Sequence, residues 1–154
     1  MAAKSTLAVS GPPERPASLL DGLVGYKLRR AHSRMMTDLL PVLTPLGLRP
    51  VLVAMLCVIR ANPGIIQMGL GSELGIQRAN LVPLINELTS RNLVVRCADP
   101  RDRRALTLQL TGEGEALLDE AAALIGDHEE RMLARLSSGE RNKLLELLEK
   151  IAAE

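Results

Sequence analysis

The 154-residue chain has the length of one domain, and 47% apolar residues supply enough material for a core. Its formal charge of +1 conceals a division: residues 1–110 carry 14 Lys and Arg against 7 Asp and Glu, net +7, whereas residues 111–154 carry 5 against 11, net −6. Only the first portion suits a polyanion, and a single aromatic residue, Tyr26, argues against RNA folds that stack bases on paired aromatics.

Residues 1–17 hold three prolines and no apolar run of signal-peptide length, so they read as a disordered N-terminal arm. Across residues 19–40 apolar side chains recur at helical spacing with Lys27, Arg29, Arg30 and Arg34 between them, which predicts a long first helix closed by Pro41. "LTPLGLRP" is a connector rich in helix breakers. "VLVAMLCVIRA" is apolar nearly all round and predicts a short buried helix, making Cys57 an inert core thiol. The apolar run 51–59 is too short to span a bilayer.

"IIQMGLGSELGIQRANLVPLINELTSRNLV" divides into a short helix near 67–74, a turn at Gly75 and Ile76, and a longer helix near 77–91. Two helices joined by a tight glycine-containing turn form a helix-turn-helix candidate. Pro83 removes the bond from residue 83 to the Ala79 carbonyl and predicts a bend near Ala79.

"LVVRCA" and "ALTLQL" then read as two strands around the loop "DPRDRR", with Leu106, Leu108 and Leu110 expected to face inward. Thr111 caps a further helix, with Glu113 and Glu115 complementing its dipole, that runs to about residue 136. His128, flanked by Asp127, Glu129 and Glu130, is expected to face solvent on this helix. "SSGE" starts a last amphipathic helix carrying Leu144, Leu145, Leu147, Leu148 and Ile151. The fold class is therefore mainly α with a small β-hairpin wing.

Arginines on a hairpin tip are narrow enough to enter a minor groove while a helix occupies the adjacent major groove. The aspartates of the loop can hold neighbouring guanidinium groups in one rotamer by charge-assisted bonds. The competing reading of the same charges is a solvated turn that keeps a sheet edge from aggregating.

"DPRDRRALTLQLTGEGEALL" resembles the wing and following helix of the MarR family of winged-helix regulators, and "LGIQRANLVPLINELTSRNLVVR" resembles their recognition helix and first wing strand. The resemblance covers about residues 19–154 and implies a winged helix-turn-helix with a helical dimerisation region. It divides the chain into a dimerisation helix at 18–48, a DNA-binding lobe at 49–110 and C-terminal dimerisation helices at 111–154. It further implies a homodimer on a palindromic double-stranded operator, with half-sites about one helical turn apart.

In the wing, Arg104 oriented by Asp102 matches the residue that enters the minor groove, and Arg101 and Arg103 meet the adjacent backbone. On the recognition helix, Gln77, Arg78, Asn80, Asn86 and Glu87 are candidates for the DNA side, and Ser72 for a phosphate. Family members commonly bind a small molecule between the dimer helices and the DNA-binding lobe. Tyr26, Arg29, Arg30, His32, Met36, Met55 and Arg60 suit such an effector, with core filling the competing role for the methionines.

"GLVGYKLRRAHSRMM" with "GIQRANLVPLINEL" is also similar to a subset of the family responsive to coenzyme A thioesters of hydroxycinnamates, which implies a repressor of aromatic-acid catabolism. Redox sensing through Cys97 or Cys57 is an alternative, as is a winged helix that binds protein and no DNA. Neither cysteine has metal-ligand spacing, no cofactor is implied, and a reduced cytoplasmic setting fits best. With two histidines, no nucleophile elbow and no phosphate-cradling loop, the chain does not read as an enzyme.

Overall fold

The computed structural model describes residues 19–98 and 106–153. Two units follow in chain order, Met1–Arg34 and Met35–Glu154. The described residues of the first form a 3-10 turn, Leu19–Gly22, and the opening of helix α1, Val24–Leu43; Lys27 and Asp21 form an ion pair at 3.9 Å there. Pro41 does not close α1, contrary to the sequence expectation. The helix runs two residues past the proline, which lets Leu39 and Leu43, one turn apart, both enter the core.

The second unit continues with α2 (Pro50–Ala61), β1 (Ile65–Ile66), α3 (Gln67–Glu73) and α4 (Arg78–Ser90). After these come β2 (Val94–Ala98), β3 (Leu106–Leu110), α5 (Gly112–Met132) and α6 (Ser138–Ala152). The three strands form an antiparallel sheet in the order β1-β3-β2, with Arg96 opposite Leu108 and Ile65 on Leu108's other side. β1 is too short to leave a periodic signal in the sequence. α5 also ends before residue 136, with Leu133 as its C-cap.

Three helix ends are closed by the same device. After α3, Ile76 N–H donates to the Gly71 carbonyl at 2.8 Å and Gly75 N–H to the Ser72 carbonyl at 3.2 Å, with Gly75 at φ +63°. After α4, Leu93 N–H reaches Leu88 O and Asn92 N–H reaches Thr89 O, both at 3.0 Å, with Asn92 at φ +56°. After the 3-10 turn that follows α1, Gly47 takes φ +61° and Leu48 N–H reaches Leu43 O at 3.1 Å.

The core joins Leu39, Leu43, Leu52, Leu56 and Ile59 to Leu70, Leu81, Ile85 and Leu88 of the helix-turn-helix, with Leu108 and Leu118 beneath. Three sequence expectations change here. Cys57 is exposed, because the buried stripe of α2 runs through Leu52, Val53, Leu56 and Ile59 and leaves residue 57 on the other side. His128 is 1% exposed: Gly114, Leu118, Ala121 and His128 share the buried stripe of α5, a period masked in the sequence by the acids around it. In β3, Leu108 faces inward as expected, but Leu106 is 54% exposed and Thr107 is 5% exposed. β3 is the central strand, and Thr107 lies between Ile66 and Cys97, donating to the Cys97 carbonyl at 3.3 Å.

Candidate nucleic-acid interface

The helix-turn-helix is held at close quarters by one glycine. A Cβ on Gly71 would stand 3.0 Å from the Ile76 carbonyl and 3.1 Å from a Leu81 methyl, so α3 and α4 pack tightly at this glycine and a side chain there would require its neighbours to give by a few tenths of an ångström. That crossing leaves the first turn of α4 outward. Ser72, Gln77, Arg78 and Asn80 are all exposed, and no acidic residue lies in that turn. Gln77 is the N-cap but makes no side-chain capping bond, so its amide remains available.

α4 is assigned as helix through Pro83, with Leu81 N–H bonded to Gln77 O at 3.1 Å. Asn86 is exposed farther along, and its Oδ1 accepts a bond from Arg96 Nη2 of β2 at 2.6 Å. Arg96 is a residue that the sequence analysis did not single out. The signal was present as a basic residue in an exposed strand position, but its partner ten residues earlier was not. Glu87, another candidate on α4, is half-buried and forms an ion pair with Arg49. Arg91 completes that clamp: its guanidinium donates to the Gly47 carbonyl at 2.7 Å and the Leu46 carbonyl at 3.0 Å. Arg101, Asp102, Arg103 and Arg104 lie outside the described residues.

A cavity of about 860 Å³ opens beside this face, lined by Gln67, Met68, Ser72, Gln77, Arg78 and Leu106 among others. Gln67 has a buried Nε2 with no hydrogen-bond partner.

The effector candidates are distributed over both units. In the first, the Tyr26 ring lies 5.3 Å from the Arg29 guanidinium carbon and 5.8 Å from that of Arg30, within cation–π range, while His32 is exposed. In the second, Met36 packs half-buried against the core. Met55 is wholly buried, so its thioether fills the core and its assignment to an effector cleft is withdrawn. Arg60 is also reassigned: Asp119 at 2.7 Å and Glu115 at 3.8 Å, both on α5, already compensate its charge.

His128 Nε2 stands 3.5 Å from Asp38 Oδ2, and Arg131 approaches the same oxygen at 3.7 Å. The 3.5 Å approach of His128 is too long for a good hydrogen bond, in keeping with both of its ring nitrogens lacking hydrogen-bond partners. Among the described residues no group of three or more His, Cys, Asp or Glu could hold a metal, and no single helix is long and apolar enough to cross a membrane.

A glycine-tight helix pair with an outward polar first turn, backed by a three-stranded wing sheet, defines a winged helix-turn-helix DNA-binding protein. Comparison with known proteins narrows the class. The MarR family model matches residues 46–105. A putative transcriptional regulatory protein for the hcr operon of Thauera aromatica is 32% identical over 131 residues, 84% of this chain and 79% of that protein. The transcriptional regulator HosA of Escherichia coli O111:H- is 36% identical over 99 residues, 64% of this chain and 73% of that protein.

Among solved structures, the transcriptional repressor CouR bound to a 23-mer DNA duplex superposes with a TM-score of 0.86 at 37% identity, covering 92% of this chain and all of that one. CouR bound to p-coumaroyl-CoA gives a TM-score of 0.80 at 36% identity, covering 92% and 99%. The chain belongs to the MarR family of transcription regulators.

Proposed function

We propose that this protein is a homodimeric repressor that binds a palindromic operator and is released by an aromatic acid or its coenzyme A thioester. The observation that carries the reading is the exposed, acid-free first turn of α4, with Ser72, Gln77, Arg78 and Asn80 on the outward side of a helix-turn-helix packed tightly at Gly71. Arg104 with Asp102, supported by Arg101 and Arg103, supplies the minor-groove element. The similarity to CouR, solved both with a DNA duplex and with p-coumaroyl-CoA, supports the effector class.

Tyr26, Arg29, Arg30, His32 and Met36 are the effector residues retained. The two guanidinium groups beside the Tyr26 ring offer cations for phosphates and an aromatic face for a planar acyl group. An effector releases DNA only by its differential affinity for the two spacings of the reading heads. The protein acts in the cytoplasm, without catalysis, and needs no cofactor.

The test is fluorescence anisotropy with the DNA upstream of the protein's own gene. Binding should weaken steeply with salt, Arg104→Ala should cut affinity at least about tenfold, and p-coumaroyl-CoA should release the DNA where free p-coumarate does so less. Failure of the thioester with success of another aromatic acid would replace the effector; failure to bind DNA would remove the reading. A redox reading rests on the exposed Cys57 thiol, and operator affinity unchanged by peroxide eliminates it.

A further inference from the structure

When a helix fills a major groove and a wing reaches the neighbouring minor groove, the phosphate ridge between those grooves runs through the saddle separating helix from wing. Among the described residues a side-chain hydrogen bond bridges the saddle, from Arg96 Nη2 on β2 to Asn86 Oδ1 on α4 at 2.6 Å. Both residues are exposed.

The chemistry of the partner matters. Arg49, Arg60 and Arg141 are each held by a carboxylate, which cancels their charge. Arg96 is held by a neutral amide oxygen instead; Arg91 is also held by neutral oxygens, but these are the carbonyls of Leu46 and Gly47 in the turn between α1 and α2, away from the wing. The amide takes one N–H of the guanidinium fork and leaves the other donors and the full positive charge. An arginine fixed in place without being neutralised is suited to a phosphate.

We propose that Arg96 is a DNA-backbone contact in the saddle and that Asn86 is its positioning residue, acting through Arg96 rather than by reading a base. The proposal rests on the DNA-binding reading of the winged lobe. Asn86 lowers the ordering cost of the guanidinium before DNA arrives. Because phosphates carry no sequence, the pair should strengthen specific and non-specific binding alike.

The test is the salt dependence of DNA affinity for the full-length parent, Arg96→Ala and Asn86→Ala, on operator and on unrelated duplex. Each phosphate contact contributes about 0.9 to the slope of log affinity against log salt, so a dimer losing two Arg96 contacts should show a slope shallower by about 1.8 on both DNAs. Asn86→Ala retains the charge and should keep the parent slope while weakening affinity at least about fivefold. If Arg96→Ala fails to fold, Arg96→Gln, neutral and similar in reach, makes the same comparison.

A parent slope in a folded Arg96 variant would reduce Arg96 to a strut between helix and wing and overturn the inference. A flattened slope in Asn86→Ala would overturn the positioning role. A parent that binds no DNA would instead sink the underlying reading.

Discussion

Gly114 shows how much one missing Cβ decides. An added Cβ would stand 2.1 Å from the Leu93 carbonyl, a backbone atom that cannot swing aside. The same junction is tied by Thr111, whose hydroxyl donates to Asn92 O at 2.6 Å and accepts from Gly114 N–H at 3.0 Å, while its N–H reaches Leu93 O at 3.1 Å. Gly114→Ala should therefore destabilise the lobe by about 1 to 3 kcal/mol or more, read as a fall in the thermal unfolding midpoint. An unchanged midpoint would mean that α5 can slide away from β2 at no cost. Thr111 was legible as a cap from its place before an acidic first turn; the need for glycine three residues later was not, because it depends on a strand end distant from any local pattern.

Between elements, α4 is anchored at its C-terminal end. Arg91 donates to the carbonyls of Leu46 and Gly47, and Arg49 pairs with Glu87, so the recognition helix is fixed to the turn between α1 and α2. Arg91→Ala leaves two carbonyls without these donors and should cost about 1 to 2 kcal/mol in chemical denaturation, with Arg91→Lys recovering only part.

α6 and its contact with α5 carry a pH dependence. The Glu130 carboxyl is held below the usual carboxylate range by its bond from Arg141, Glu140 by bonds from Ser137, and Glu146 by Lys150 and then Lys143. Depressed folded values stabilise above the ordinary glutamate value and are lost as pH falls through the lowered ones. Helicity followed by circular dichroism should accordingly hold above about pH 5 and decline on acidification below about pH 4. Disrupting the Ser137 and Glu140 capping box with Ser137→Ala should weaken that decline.

At the scale of the whole molecule, α6 leaves Leu144, Leu145, Leu147, Leu148 and Ile151 exposed, with Leu145 at 60%. Five large apolar side chains on one exposed helix are more than an isolated soluble chain ordinarily displays, and a second copy is the occupant the dimer reading requires. Leu145→Asp should shift the protein from dimer to monomer in sedimentation. It should also reduce operator affinity at least about a hundredfold, because two half-sites are no longer engaged together. A monomeric variant with parental affinity would separate DNA binding from dimerisation.

Periodicity and punctuation determined the order of helices, the glycine turn at Gly75, the wing strands and the restart at Ser137, because each depends on spacing within one segment. Resemblance in the wing motif determined the family. What tertiary structure decided was which residues of those elements are occupied by others. Cys57 lies on the outer face of a helix that looked apolar throughout, and His128 lies inside beneath flanking acids. Met55 fills the core, Arg60 is taken by Asp119, and Asn86 is bound to Arg96. A local pattern specifies which face of an element is apolar, but a side chain's remaining freedom to bind depends on partners brought near by packing, and those partners are scattered along the chain.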